Sequence, residues 1–186
     1  MVTSTEIPTD IDRILYNKAK GGILSNTLLD AMTDTAHQKA KVLFRVPNDD
    51  GSAEVETLWA THLGGDNYKL DNSPFYAYGV SWEDVVSAPF SEEEQFPTFQ
   101  TVVAKSGNRT VRIVFDPAVE DGNQSDQVLK GLVGLGCDYE GANRKYISVN
   151  IPPNVNLEAV RNYLIQHNAN WEHADPTYDS LFPEIV

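Results

Sequence analysis

The chain has 186 residues, enough for one large domain or two small ones, and its 41% apolar and 22% charged fractions exclude wholesale disorder. Fourteen Lys and Arg stand against 27 Asp and Glu, a net charge of −13 that repels phosphate backbones and anionic lipids and attracts basic partners. A lone cysteine, Cys137, excludes an intramolecular disulfide and a thiolate zinc cluster, and no apolar run approaches the roughly 18 residues of a membrane span.

Residues 1–40 read as an N-terminal helical arm. Thr9-Asp10 can cap a helix bearing Ile11, Ile14, Leu15 and Ala19, and Gly21-Gly22 interrupts it before a second helix with Leu28, Leu29, Met32 and Ala36. The first residues lack the basic and apolar regions of a secretory signal, so a cytoplasmic protein is expected. Residues 41–105 read as β. Val42, Phe44 and Val46 alternate with Leu43 and Arg45, and Val55, Thr57 and Trp59 alternate with Leu58 and Ala60, with turns at Pro47–Gly51 and Gly64–Asn67. Tyr68, Leu70, Phe75, Tyr76 and Tyr78 follow, and strands are expected over Val80–Val86 and Phe99–Ala104. Five short strands so spaced predict a small SH3-like barrel.

The pattern changes at residue 106. A strand through Val111, Ile113 and Phe115 precedes a helix over Gln124–Leu135 that Gly136 ends. A strand at Cys137–Glu140 turns at Gly141-Ala-Asn143 into a strand at Tyr146–Ile151, and Asn156 caps a helix carrying Leu157, Val160, Tyr163, Leu164 and His167. A last strand at Trp171–Ala174 completes a ferredoxin-like βαββαβ unit over residues 106–176, with 177–186 a C-terminal tail. The fold class expected is α+β.

Several residue groups of the middle region stand at characteristic spacing: Phe44-Arg45, Glu56 with Trp59, Asp71-Asn72 with Pro74-Phe75, Asp84-Val-Val86, and Ser106-Gly107 with Thr110 and Arg112. Together they resemble a bacterial family, the domain of unknown function numbered 4265, over residues 40–176. The resemblance implies architecture far more than activity. The glycine usual before the aspartate of the fourth motif is Glu83 here, a departure that bears on a turn. Read as chemistry, Asp71-Asn72-Ser-Pro and Ser106-Gly107-Asn108 are turn formers. Arg112, inside an apolar strand, needs a carboxylate if buried, and Glu56 or Asp84 can supply it and tie the two halves together.

Catalytic signatures are absent from the sequence. His37, His62, His167 and His173 have no metal-binding spacing, Ser106 lacks a nucleophile elbow, and Cys137 enters a strand where a buried thiol is the default. Gly131, Gly134 and Gly136 end a helix, the wrong end for an anion, and no basic and aromatic RNA-binding segment accompanies Tyr139 and Tyr146. No cofactor, metal, nucleic acid or membrane partner is expected. Eleven acids against four bases fall between residues 36 and 104. Asp49, Asp50, Glu54, Asp66, Glu92, Glu93 and Glu94 thus form the candidate partner-binding loops, and the expected function is that of a non-enzymatic immunity protein binding a basic toxin domain. The alternative is a ligand-binding or enzymatic site between the two units built on Trp59, Asp71, Asn72, Asp84 and Arg112.

Overall fold

Alternating apolar residues build the first sheet of the computed structural model, which describes residues 38–48 and 50–183. Strands β1 (Lys39–Pro47) and β2 (Ala53–Gly64) pair antiparallel, from Lys39–Thr61 at one end to Pro47–Ala53 at the other. Successive side chains point to opposite faces, so Val42, Phe44, Leu58 and Ala60 turn into a core while Val55, Trp59 and Leu63 stay exposed. β3 (Asn67–Leu70) and β4 (Val85–Ser87) follow, then a small hairpin of β5 (Phe90–Ser91) and β6 (Phe96–Pro97), then β7 (Thr101–Ala104). The sheet order is β1-β2-β3-β4-β7. Beyond β6 the chain folds onto β1, where Phe99 N donates to the Leu43 carbonyl at 2.8 Å and the Phe99 ring stacks on Phe44 at 4.6 Å. That contact covers part of an otherwise open strand edge.

The second sheet has the order β11-β8-β10-β9, built from β8 (Arg109–Val114), β9 (Asp138–Gly141), β10 (Tyr146–Ile151) and β11 (Asn170–Asp175). α1 (Gln124–Gly134) joins β8 to β9, and α2 (Leu157–Gln166) joins β10 to β11. Asn123 Oδ1 caps α1 by accepting from Asp126 N, and Asn156 caps α2 in the same way from Glu158 N. Gly136, at φ +98°, closes α1: its amide donates to the Val133 carbonyl and Cys137 N to that of Leu132. Val111, Ile113, Ile147, Val149 and Ile151 on one face of the sheet pack against Val128, Leu129 and Leu132 of α1 and Val160 and Leu164 of α2. A short α3 (Tyr178–Leu181) lies where an irregular tail was expected. The molecule is therefore a mixed α/β protein of mostly antiparallel sheet with few helices.

The strands expected over Val80–Val86 and Phe99–Ala104 are shorter, 85–87 and 101–104, and Phe75, Tyr76 and Tyr78 lie in irregular backbone. The cause is local: the amides of residues 75–77 and 81 bond to side-chain carboxylates instead of a neighbouring strand. Of the expected arm, residues 1–37 lie outside the described residues, as does Asp49. No described helix is long and apolar enough to cross a membrane.

Candidate functional site

The connection between β3 and β4, residues 71–84, carries Asp71, Asn72, Pro74, Phe75 and Asp84 of the family motifs, and it lies on the face of the second sheet that the helices leave uncovered. That face is polar. One cross-strand row runs Glu172, Arg112, Ser148, Glu140; the next runs Asp175, Thr110, Asn150, Asp138. Arg112, Ser148, Thr110 and Asn150 are all buried. Backbone and hydroxyl groups of the connection bond the first three, while Arg112 Nε and both side-chain amide atoms of Asn150 have no partner among the described residues. Ser148 Oγ donates to the Pro74 carbonyl at 2.8 Å, Ser73 N donates to Glu140 Oε1 at 3.1 Å, and Tyr146 OH donates to the Phe75 carbonyl at 2.6 Å. The Arg112 guanidinium donates to the Ala77 carbonyl and to Glu172 Oε1, and lies 4.4 Å from the Tyr78 ring. Ser81 Oγ, 2.9 Å from Thr110 Oγ1, donates to Asp175 Oδ2 at 2.6 Å.

Further bonds tie the connection to the first sheet and to the turn after β7. The Glu56 carboxylate accepts from three consecutive amides, Phe75 N at 2.6 Å, Tyr76 N at 3.0 Å and Ala77 N at 2.8 Å. Asn72 Oδ1 accepts from Trp59 N at 2.7 Å. Asp71 pairs with Lys39 at 2.6 Å and accepts from Thr61 Oγ1. Asp84, fully buried, accepts from Ser81 N, Ser106 N, Ser106 Oγ and Lys105 Nζ, and Lys105 also reaches Asp175 at 2.7 Å.

The structure thus brings Glu56, Asp71, Asn72, Asp84, Ser106, Thr110 and Arg112 together around one segment, but as a closed network. Trp59 contributes only its backbone to that network. Its ring is 43% exposed on the outer face, with Lys41 Nζ 4.8 Å from the ring centre. The expected partner of Arg112 needs correction: it is Glu172, because Glu56 and Asp84 are engaged by backbone amides. Ser81, Lys105, Ser148, Glu172 and Asp175 were missed. The signal was available in β8 and β10, where polar residues alternate strictly with apolar ones, but alternation alone does not tell a polar face in water from one covered by chain.

The departure at residue 83 has a structural counterpart. Glu83 sits at φ +64°, in the left-handed region that favours glycine, one residue before the buried Asp84. Its ion pair with Lys69, at 3.8 Å with both side chains well exposed, offsets little of that strain. Glu83→Gly is expected to stabilise the protein by about 0.5–1 kcal/mol, read as a rise in denaturation midpoint; Glu83→Ala should give no such gain.

Among other expected candidates, Cys137 is buried in the second core, and burial pushes its thiol up to about 11, so it carries little thiolate at neutral pH. Among the described residues no group of three or more His, Cys, Asp or Glu is placed to hold a metal ion. The acidic loops divide. Asp50, Glu54 and Glu92–Glu94 lie at one end of the first sheet, where Arg45 pairs with Glu94, while Asp66 lies in the β2–β3 turn at the far end of β2. Asp50 is partly occupied by Ser52, whose hydroxyl and amide bonds hold its carboxyl below the usual carboxylate range.

A family model, described as a domain of unknown function (DUF4265), matches residues 56–174. A crystal structure of a hypothetical protein from Neisseria gonorrhoeae is similar in fold, with a TM-score of 0.63 and 18% identity over 74% of this chain and 95% of that one. No curated protein matches the chain.

Proposed function

The chain belongs to the DUF4265 family, and from that premise we propose that it is a non-enzymatic acidic binding protein, a bacterial immunity protein that neutralises a cognate basic toxin domain by direct contact in the cytoplasm. One observation carries the reading: an exposed apolar patch with an acidic rim at the hairpin end of the first sheet. Phe90 is 56% and Val55 58% exposed, Phe96 is also exposed, and Asp50, Glu54, Glu92 and Glu93 are exposed in the same two hairpins. Arg45 joins the two hairpins by pairing with Glu94 and standing opposite Val55 in the β1–β2 register. Large apolar anchors inside a charged rim suit a protein partner, and the net charge of −13 selects a basic one and speeds its encounter.

Two further features support the same reading. The five-stranded sheet, curled so that Phe99 meets β1, favours an SH3-like unit over residues 41–105. The order β11-β8-β10-β9, with helices after β8 and β10, favours a ferredoxin-like unit over 106–176. Most of the polar residues between these units, which a ligand or an enzymatic site would need, are spent on the 71–84 connection, Asn150 excepted, and that weakens the rival.

The test compares wild-type protein with Glu92→Lys/Glu93→Lys and Phe90→Ala variants as bait in host lysate at low and moderate salt. The expected result is one stoichiometric basic polypeptide, retained by the wild type, lost as salt rises and lost with either variant. Expressed alone, that polypeptide should arrest growth, and co-expression of the wild-type chain should restore it. A partner indifferent to salt and to both variants, or one that is harmless when expressed alone, overturns the proposal.

A further inference from the structure

A cleft of about 740 Å³ opens at the other end of the molecule, where edge strand β11 meets α2, α3 and Tyr78. Its walls are aromatic: Trp171 on β11, Tyr178 on α3 and Tyr78 on the 71–84 connection, with Ile165 of α2 beside them. Size and lining fall within the range of small-molecule sites.

Between the rings sits His173. It lies edge-on to Trp171 at 4.8 Å and 6.5 Å from Tyr178, and it is only 7% exposed. Neither ring nitrogen has a hydrogen-bond partner among the described residues. The same holds for Nε of Arg161, another cleft residue, although its Nη1 donates to Glu158 at 2.6 Å. Buried polar atoms are rarely left unpaired, and each such atom calls for a partner. Burial first, and then the nearby Arg161 charge, depress the His173 pKa, so the imidazole is neutral at physiological pH and offers a single N–H. Two N–H donors without partners thus lie buried just behind the aromatic lining of the cleft.

The charge inventory narrows the ligand. Among the described residues Arg161 is the one cation lining the cleft, and Glu172 and Asp179 line it as well. Glu172 is engaged by Arg112 and by Tyr78 OH at 2.7 Å. With Arg161 already paired to Glu158, the lining carries no spare positive charge, which disfavours a phosphate and leaves a singly charged group to be held by the two N–H donors. We propose that the cleft binds a small planar aromatic carboxylate. Its ring packs against the aromatic wall of Trp171 and Tyr178, and its carboxylate accepts from His173 and from Arg161 Nε. The site is independent of the hairpin patch and makes no demand on the toxin-binding reading.

Titrating the full chain with indole-3-carboxylate, followed by calorimetry and by the imidazole nitrogen signals of its histidines, tests the assignment. One saturable site is expected, with the His173 signals moving and those of His62 and His167 unmoved. Indole, which lacks the acceptor, and cyclohexanecarboxylate, which lacks the flat ring, should each bind roughly tenfold or more weakly. His173→Phe and Arg161→Met should each weaken indole-3-carboxylate by about tenfold or more; the second variant lies on a helix surface and keeps the test open if the first fails to fold. Binding that does not saturate, that survives both substitutions, or that is absent for all three probes overturns the proposal.

Discussion

Asp84→Ala is expected to cost about 3 kcal/mol and to lower the melting temperature by on the order of 10 °C. The side chain is completely buried, and its two oxygens accept four hydrogen bonds, from Ser81 N, Lys105 Nζ, Ser106 N and Ser106 Oγ. Four donors fill the acceptor capacity of a carboxylate. Alanine leaves the amides of Ser81 and Ser106 without acceptors inside the protein, and each such loss costs roughly 1–3 kcal/mol. The ion pair itself contributes less, because Lys105 is 45% exposed and keeps Asp175 as a partner. Asp84→Asn should lose about 2 kcal/mol, since one oxygen becomes an NH2 group facing two donors. Urea denaturation of the three proteins decides the matter. A loss below about 0.5 kcal/mol for the alanine variant would mean that these hydrogen bonds do not hold the connection.

The network centred on Asp84 also explains which parts of the fold were legible in the sequence. The second half was, because its cues are local: Asn156 at a helix start and Gly136 past a helix end. β10 falls on the expected Tyr146–Ile151. The first hairpin was legible for the same reason, since its period-two pattern meets a tight turn on each side. Residues 71–84 were not. Their aromatic and β-branched content favours a strand, but their backbone partners are Glu56, Asp84 and Glu140, which stand 19 residues before Phe75, three after Ser81 and 67 after Ser73. A short window contains the Ser81–Asp84 bond but neither of the other two.

The candidate site suffered from the same ambiguity in a second form. Thr110 and Arg112 alternate with Val111 and Ile113, and Ser148 and Asn150 alternate with Ile147, Val149 and Ile151, a pattern that normally marks one wet face and one dry face. Here both faces are dry, one under the helices and one under the connection. The motif residues, the Trp59 ring apart, gather around one segment, and their role as fasteners depends on that covering segment, which only the three-dimensional structure supplies. The cleft at His173 escaped notice for a related reason. Its residues come from β11, two helices and the connection, and a lone histidine next to a glutamate carries no signal of its own.

Arg112→Ala should be the most damaging single substitution in the second sheet, with an expected loss of about 3–5 kcal/mol. The guanidinium is 2% exposed and is held between the Ala77 carbonyl, the Glu172 carboxylate and the Tyr78 ring. Alanine removes all three contacts, leaves the Ala77 carbonyl unpaired and opens a void between sheet and connection. Packing and charge are separable by two further variants. Arg112→Met keeps much of the stem volume without the charge and should recover part of the loss. Glu172→Gln should cost at most about 1 kcal/mol, because Glu172 is 45% exposed and water can replace part of its interaction with the arginine. Hydrogen exchange supplies the local readout. The Phe75, Tyr76 and Ala77 amides are bound to Glu56, not to Arg112, so they lose protection in Arg112→Ala only if the guanidinium clamps the whole connection onto the second sheet. Unchanged protection at those amides, together with unchanged stability, would return Arg112 to the list of residues free to serve a ligand.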